Sequence, residues 1–91
     1  MKRYEDYTTE EQRIMRVCEA CRLAIAQEEF LRYENEEPEL TDLQKQIIYD
    51  RYHDLVVLKY PSARWEEVSQ LFDRLFKEIE EYHAEDAVVY S

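Results

Sequence analysis

Apolar residues recur along this chain at helical spacing, in three runs separated by start and stop signals. In the first run Ile14, Val17, Cys18, Cys21, Ala24 and Ile25 follow one another at intervals of three and four, with Leu23 and Phe30 beside the stripe as signs of a wider buried face. Thr8 or Thr9 is placed to cap its start, because Thr8 with Glu11 and Thr9 with Gln12 both have capping-box spacing. The second run begins at "LTDLQ", with Thr41 as cap and Gln44 at the third helical position, and presents Leu43, Ile47, Ile48, Tyr52, Leu55 and Leu58 as its apolar face. The third begins at "PSARWEEV" with Ser62 as cap, carries Trp65, Val68, Phe72, Leu75, Ile79 and Tyr82 in an a/d pattern, and is followed by the short tail "DAVVYS". The pattern predicts helices over roughly 9–34, 41–60 and 63–85.

Pro38 and Pro61 stand in the connections, and both connections are short, which favours antiparallel neighbours. The expected fold is an all-α, single-domain three-helix bundle over residues 1–91, running up-down-up, with a short C-terminal tail. Composition agrees. The chain has 91 residues, a 45% hydrophobic fraction and no glycine, so turns that require positive φ are hard to make and hairpins are disfavoured. A phosphate-cradling glycine loop is excluded for the same reason.

Charge changes the picture most. The net charge is −10, and it is unevenly spread: residues 1–40 hold eleven acids and six bases, 41–61 three of each, and 62–91 eight acids and three bases. Nucleic acid and anionic lipid repel such a chain, so no direct nucleic-acid or membrane contact is expected and the natural partner is a basic protein surface. No apolar run reaches the ~18 residues of a membrane span, and "MKRYEDYTTE" lacks the apolar centre of a signal peptide. The expected location is the cytoplasm (the host's, if the chain is phage-encoded), where Cys18 and Cys21 stay reduced.

Within the first charged segment, "EEFLRYENEEPEL" crowds acid at the C-terminal end of a helix, where the backbone dipole disfavours it. If helices one and three run parallel, "KEIEEYHAED" brings a second set of carboxylates to the same end. The expected contact surface is a shared acidic pole of Glu34, Glu36, Glu37 and Glu39 with Glu78, Glu81, Glu85 and Asp86, flanked by Tyr33 and Tyr82 as apolar anchors. A carboxylate array on rigid helices imitates the closely spaced phosphates of duplex DNA. The expected function is therefore non-enzymatic: docking on, and inhibiting, a basic nucleic-acid-binding protein. Small acidic helical proteins encoded by phages inhibit host nucleases and polymerases in this way, an analogy of class and not of motif.

Other chemistry is sparse. Cys18 and Cys21 form a C-x-x-C on the apolar stripe well inside a helix, which fits small core residues better than redox thiols. Neither histidine belongs to a metal-ligand pair, so no cofactor and no metal is expected; a zinc-stabilised module would need Cys18, Cys21, His53 and His83 together. The alternative function is a structural or adaptor module, a homodimer in its plainest version, whose contacts come from aromatics off the main stripes (Tyr4, Tyr7, Tyr49, Tyr60, Tyr90) and whose charge only solubilises. "LTDLQKQIIYDRY" followed by "WEEVSQLF" resembles the helix-turn-helix of sigma-region-4-like phage regulators. The helix that would follow, "DRLFKEIEEYHAED", is acidic where a recognition helix meets phosphate, so DNA binding is not carried over.

Overall fold

Two of the three long helices begin where a threonine satisfies their free backbone donors. In the computed structural model, which describes the backbone of residues 3–90 and the side chains of residues 3–82, α1 spans Thr9–Glu34, α2 Asp42–Val57 and α3 Trp65–Tyr90. Thr8 Oγ1 accepts from the Glu11 amide at 3.1 Å while Glu11 Oε1 accepts from the Thr8 amide at 2.9 Å, and Thr41 and Gln44 repeat both bonds at the start of α2. These reciprocal pairs select Thr8 over Thr9 as the cap of α1. No side chain caps the third start. Ser62 lies inside a single 3₁₀ turn, Ser62–Arg64, introduced by Pro61, and α3 follows from Trp65. α3 runs to Tyr90, so residues 86–90 of the segment expected as a separate tail belong to that helix, while α2 ends three residues earlier than the pattern predicted.

The helices form the expected up-down-up three-helix bundle, and no strand occurs among the described residues. α1 and α2 are antiparallel, Glu29 near the end of one meeting Lys45 near the start of the other at 3.5 Å. α3 returns along α2: His53 Nε2 meets Ser69 Oγ at 2.7 Å, and Tyr49, one turn earlier on α2, meets Asp73 and packs edge-on against Phe76. The core is the seam between α1 and α3. Ile14, Met15, Cys18 and Cys21 face Val68, Phe72, Leu75 and Ile79, all at most 3% exposed. The two cysteines are small enough to let the helices close up, and the Cys18 thiol lies 3.7 Å from the Phe72 carbonyl. Burial pushes both thiols up, Cys18 to about 12 with help from neighbouring Cys21 and Cys21 to about 11, so neither is poised as a thiolate.

α3 crosses α1 obliquely. Arg64, just before α3, bonds Glu10 at 3.0 Å, and Arg74 bonds Glu11 at 2.7 Å. Ten residues of helix advance about 15 Å, yet their partners on α1 are adjacent. Tyr7, immediately before the α1 cap, is folded into the core at 6% exposure, joining residues that were expected to lie outside it.

α2 departs from its expected orientation. Its core residues are Val56 and Val57, with Ile48, Tyr49 and Tyr52 half-buried, whereas Leu43, Ile47, Leu55 and Leu58 face solvent. α2 is apolar on more than one side, and periodicity alone does not decide which side a neighbour covers. On α1, Leu23 and Phe30 are also exposed, so its buried face is not widened toward them.

Phe72→Ala should cost about 3–5 kcal/mol of unfolding free energy, and Phe30→Gln should stay within about 0.5 kcal/mol of the parent in denaturant titrations, because only the first empties the seam.

Candidate functional site

The connection between α1 and α2 concentrates carboxylates through an unusual backbone closure. After Glu34 the Asn35 cap is followed by Glu36 at φ 57°, in the left-handed region. The Glu37 amide bonds the Arg32 carbonyl at 2.8 Å and the Glu36 amide bonds the Tyr33 carbonyl at 3.2 Å. This is the Schellman closure of a helix, whose left-handed position usually belongs to glycine because a Cβ there costs about 1–2 kcal/mol. Here glutamate occupies it. The rest of the connection is then pulled back along α1: the Arg32 guanidinium donates to the Pro38 carbonyl at 3.2 Å and Leu40, 8% exposed, anchors the segment.

The resulting concavity has a volume of about 600 Å³ and is lined by Glu29, Arg32, Tyr33, Glu36, Glu37, Glu39, Leu40 and Lys45. Arg32 also lies 3.6 Å from Glu28, and Lys45 pairs with Glu29, so the cations beneath the acids are engaged by the bundle itself. Tyr33 stands out at 80% exposure. Glu34, outside the concavity, is exposed on the last turn of α1. Five of the expected site residues are thereby brought together: Tyr33, Glu34, Glu36, Glu37 and Glu39.

Of the second set, Glu78 does not join them, whereas Glu80 lines a neighbouring concavity with Glu29 and Lys45. Glu78 is half-buried and accepts a 2.8 Å hydrogen bond from the Tyr7 hydroxyl, beside the Glu11–Arg74 pair. Tyr7 precedes the cap of α1, so this bond holds Glu78 against the N-terminal half of a helix whose 26 residues span about 39 Å. The acidic connection leaves the other end of that helix, roughly 20–30 Å away. A single pole shared by Glu78 and Glu34–Glu39 is therefore not formed, because α3 crosses α1 instead of lying alongside it. Glu81 is exposed and Tyr82 is 48% exposed on the same helix as Glu78. The side chains of Glu85 and Asp86 lie outside the described residues.

The electrostatics around Tyr7 is structural. Burial pushes its hydroxyl up to about 12, reinforced by the bond to Glu78 and the negative charges of Glu78 and Glu11 and opposed by Arg74. Glu11 is held below the usual carboxylate range, chiefly by the Thr8 backbone amide, with the Thr8 side chain and Arg74 adding to the effect. The other candidate chemistry is absorbed by packing. Cys18 and Cys21 point into the seam, and His53 is held between Ser69 and Asp54, at 2.7 and 3.1 Å. Among the described residues no group of three or more His, Cys, Asp or Glu is placed to hold a metal ion, and His83 lies outside the described side chains. Among them, too, no helix is long and apolar enough to cross a membrane.

Sequence reasoning missed Glu29, Arg32 and Lys45 as lining residues. The four-residue spacing of Glu28 and Arg32 was a usable signal for that ion pair, whereas the approach of Lys45 depends on the hairpin register. The class so defined is a small three-helix protein with a glutamate-rich helix connection at one end. No protein family, curated protein or solved structure matches the chain.

Because the folded state holds Tyr7 neutral to about pH 12, against an ordinary value near 10, its contribution to stability is complete below about pH 10 and is lost as pH rises toward 12. Absorbance titration of the folded protein should show a tyrosine step near pH 12 that is lost in Tyr7→Phe, while Tyr60, which burial and Glu10 also push up, titrates late in both.

Proposed function

We propose that this chain is a non-enzymatic binding protein that docks its acidic α1–α2 connection on a basic surface of a nucleic-acid-binding protein and inhibits it by occupying that surface. The observation that carries this reading is Glu36, a carboxylate kept in a left-handed backbone position that glycine would fill at lower energy. Backbone strain of this kind clusters at binding and active sites. Glu34, Glu37 and Glu39 are exposed around it, and Tyr33 supplies a rigid aromatic contact of the type that dominates binding energy.

With Glu78 engaged by Tyr7, the contact reduces to the connection and resembles a short run of phosphates, not an extended duplex. An inhibitor of the phage-encoded, DNA-mimicking kind fits that pattern, with fast, salt-sensitive association as its kinetic character. Glu81, Glu85, Asp86 and Tyr82 belong to this proposal only as a second, separate contact on α3. The alternative, a structural or adaptor module with solubilising charge, is favoured by one specific observation: the exposed apolar side of α2.

The immobilised chain should capture a basic nucleic-acid-binding protein from host lysate at low salt and release it at high salt. Reversal to lysine at Glu36, Glu37 and Glu39 should abolish capture. Glu36→Gly should raise stability by about 1 kcal/mol while weakening capture. Capture that persists at high salt, or that ignores the reversals, contradicts the proposal.

A further inference from the structure

α2 is covered on one side only. Leu43, Ile47, Leu55 and Leu58 are 70, 52, 54 and 63% exposed, and Arg51 and Asp54 between them are exposed as well. Ile47, Arg51, Asp54 and Leu58 follow at intervals of four, three and four, the seam spacing of a helix that pairs with another helix. Leu43 lies one turn before Ile47, and Leu55 lies beside the strip, one turn after Arg51. Alongside it runs a groove of about 340 Å³ toward α1, lined by Ala24, Ile47, Ile48 and Tyr52 among others.

We infer that this strip is the contact of a homodimer in which the α2 helices of two copies pair antiparallel about a two-fold axis. Charge selects a second copy as the occupant. Residues 41–61 hold three acids and three bases, whereas the remainder of the chain carries the whole −10, so this is the segment along which two copies approach without like-charge repulsion. A basic partner gains nothing there.

The order of residues selects the geometry. With the axis between Arg51 and Asp54, Ile47 of one copy faces Leu58 of the second copy and Arg51 faces Asp54 of the second copy. Each pair is made twice, as an isologous contact requires. The layers run apolar, charged, charged, apolar, and the two Arg–Asp layers fix register and direction in the way a polar seam position does. The parallel arrangement instead sets Arg51 against Arg51 and Asp54 against Asp54. The acidic connection belongs to neither layer, so the dimer stands or falls independently of docking on a basic partner.

Sedimentation equilibrium of the full chain should give twice the 11.2 kDa of one chain. Arg51→Asp and Asp54→Arg should each weaken self-association at least about tenfold, because each sets like charges opposite one another. The double variant R51D/D54R should recover most of the loss. Ile47→Lys should leave a monomer with unchanged helical circular dichroism, which separates lost pairing from lost folding. A mass of 11.2 kDa at every concentration overturns the inference, as does a dimer indifferent to these four variants.

Discussion

The seam between α1 and α3 is the constraint on which the rest of this structure depends. Val68, Phe72, Leu75 and Ile79 are all but fully buried, and α1 offers Ile14 and Met15 beside two cysteines small enough to admit them. Fully burying one such large side chain contributes about 1.5–3 kcal/mol, more than any exposed ion pair in the molecule supplies. The seam therefore sets the crossing of α3 over α1, and the polar contacts adapt to it. Arg64 and Arg74 reach neighbouring carboxylates of α1, and Glu78 is delivered to Tyr7 instead of to the end of α1.

That crossing divides the charge into zones with different duties. Near the start of α1, Glu10, Glu11 and Glu78 work for the fold, each paired with Arg64, Arg74 or Tyr7. At the far end of α1 the connection keeps Glu34, Glu36, Glu37 and Glu39 exposed, and Arg32 and Lys45 are engaged by Glu28, Pro38 and Glu29 instead. Along α2 the charges balance. Acid surplus to the needs of folding thus includes the exposed glutamates of the connection.

Much of the fold was legible in the chain. Thr8 with Glu11 and Thr41 with Gln44 announced two helix starts, and the stripe through Cys18 and Cys21 announced the α1 face. The α2 face was legible only in part: Ile48 and Tyr52 pack on the core as expected, whereas Leu43, Ile47, Leu55 and Leu58 are exposed and Val56 and Val57 are buried in their stead, because α2 is apolar on more than one side. At the candidate site the crowding of glutamates was plain from composition. Its closure was hidden, since the usual mark of a left-handed helix end is glycine and the chain has none. The loss of Glu78 from the pole was equally hidden, because Tyr7 and Glu78 lie 71 positions apart.

The Tyr7–Glu78 bond is where the separation of structural acid from free acid is most exposed to test. A double-mutant cycle with Tyr7→Phe and Glu78→Gln, read from denaturant unfolding near neutral pH, measures that bond directly. The expected coupling is about 1.5–3 kcal/mol, the range for a hydrogen bond to a charged group. Additivity within about 0.3–0.5 kcal/mol would mean that Glu78 does not touch Tyr7, and would free it to join the acidic residues at the end of α1.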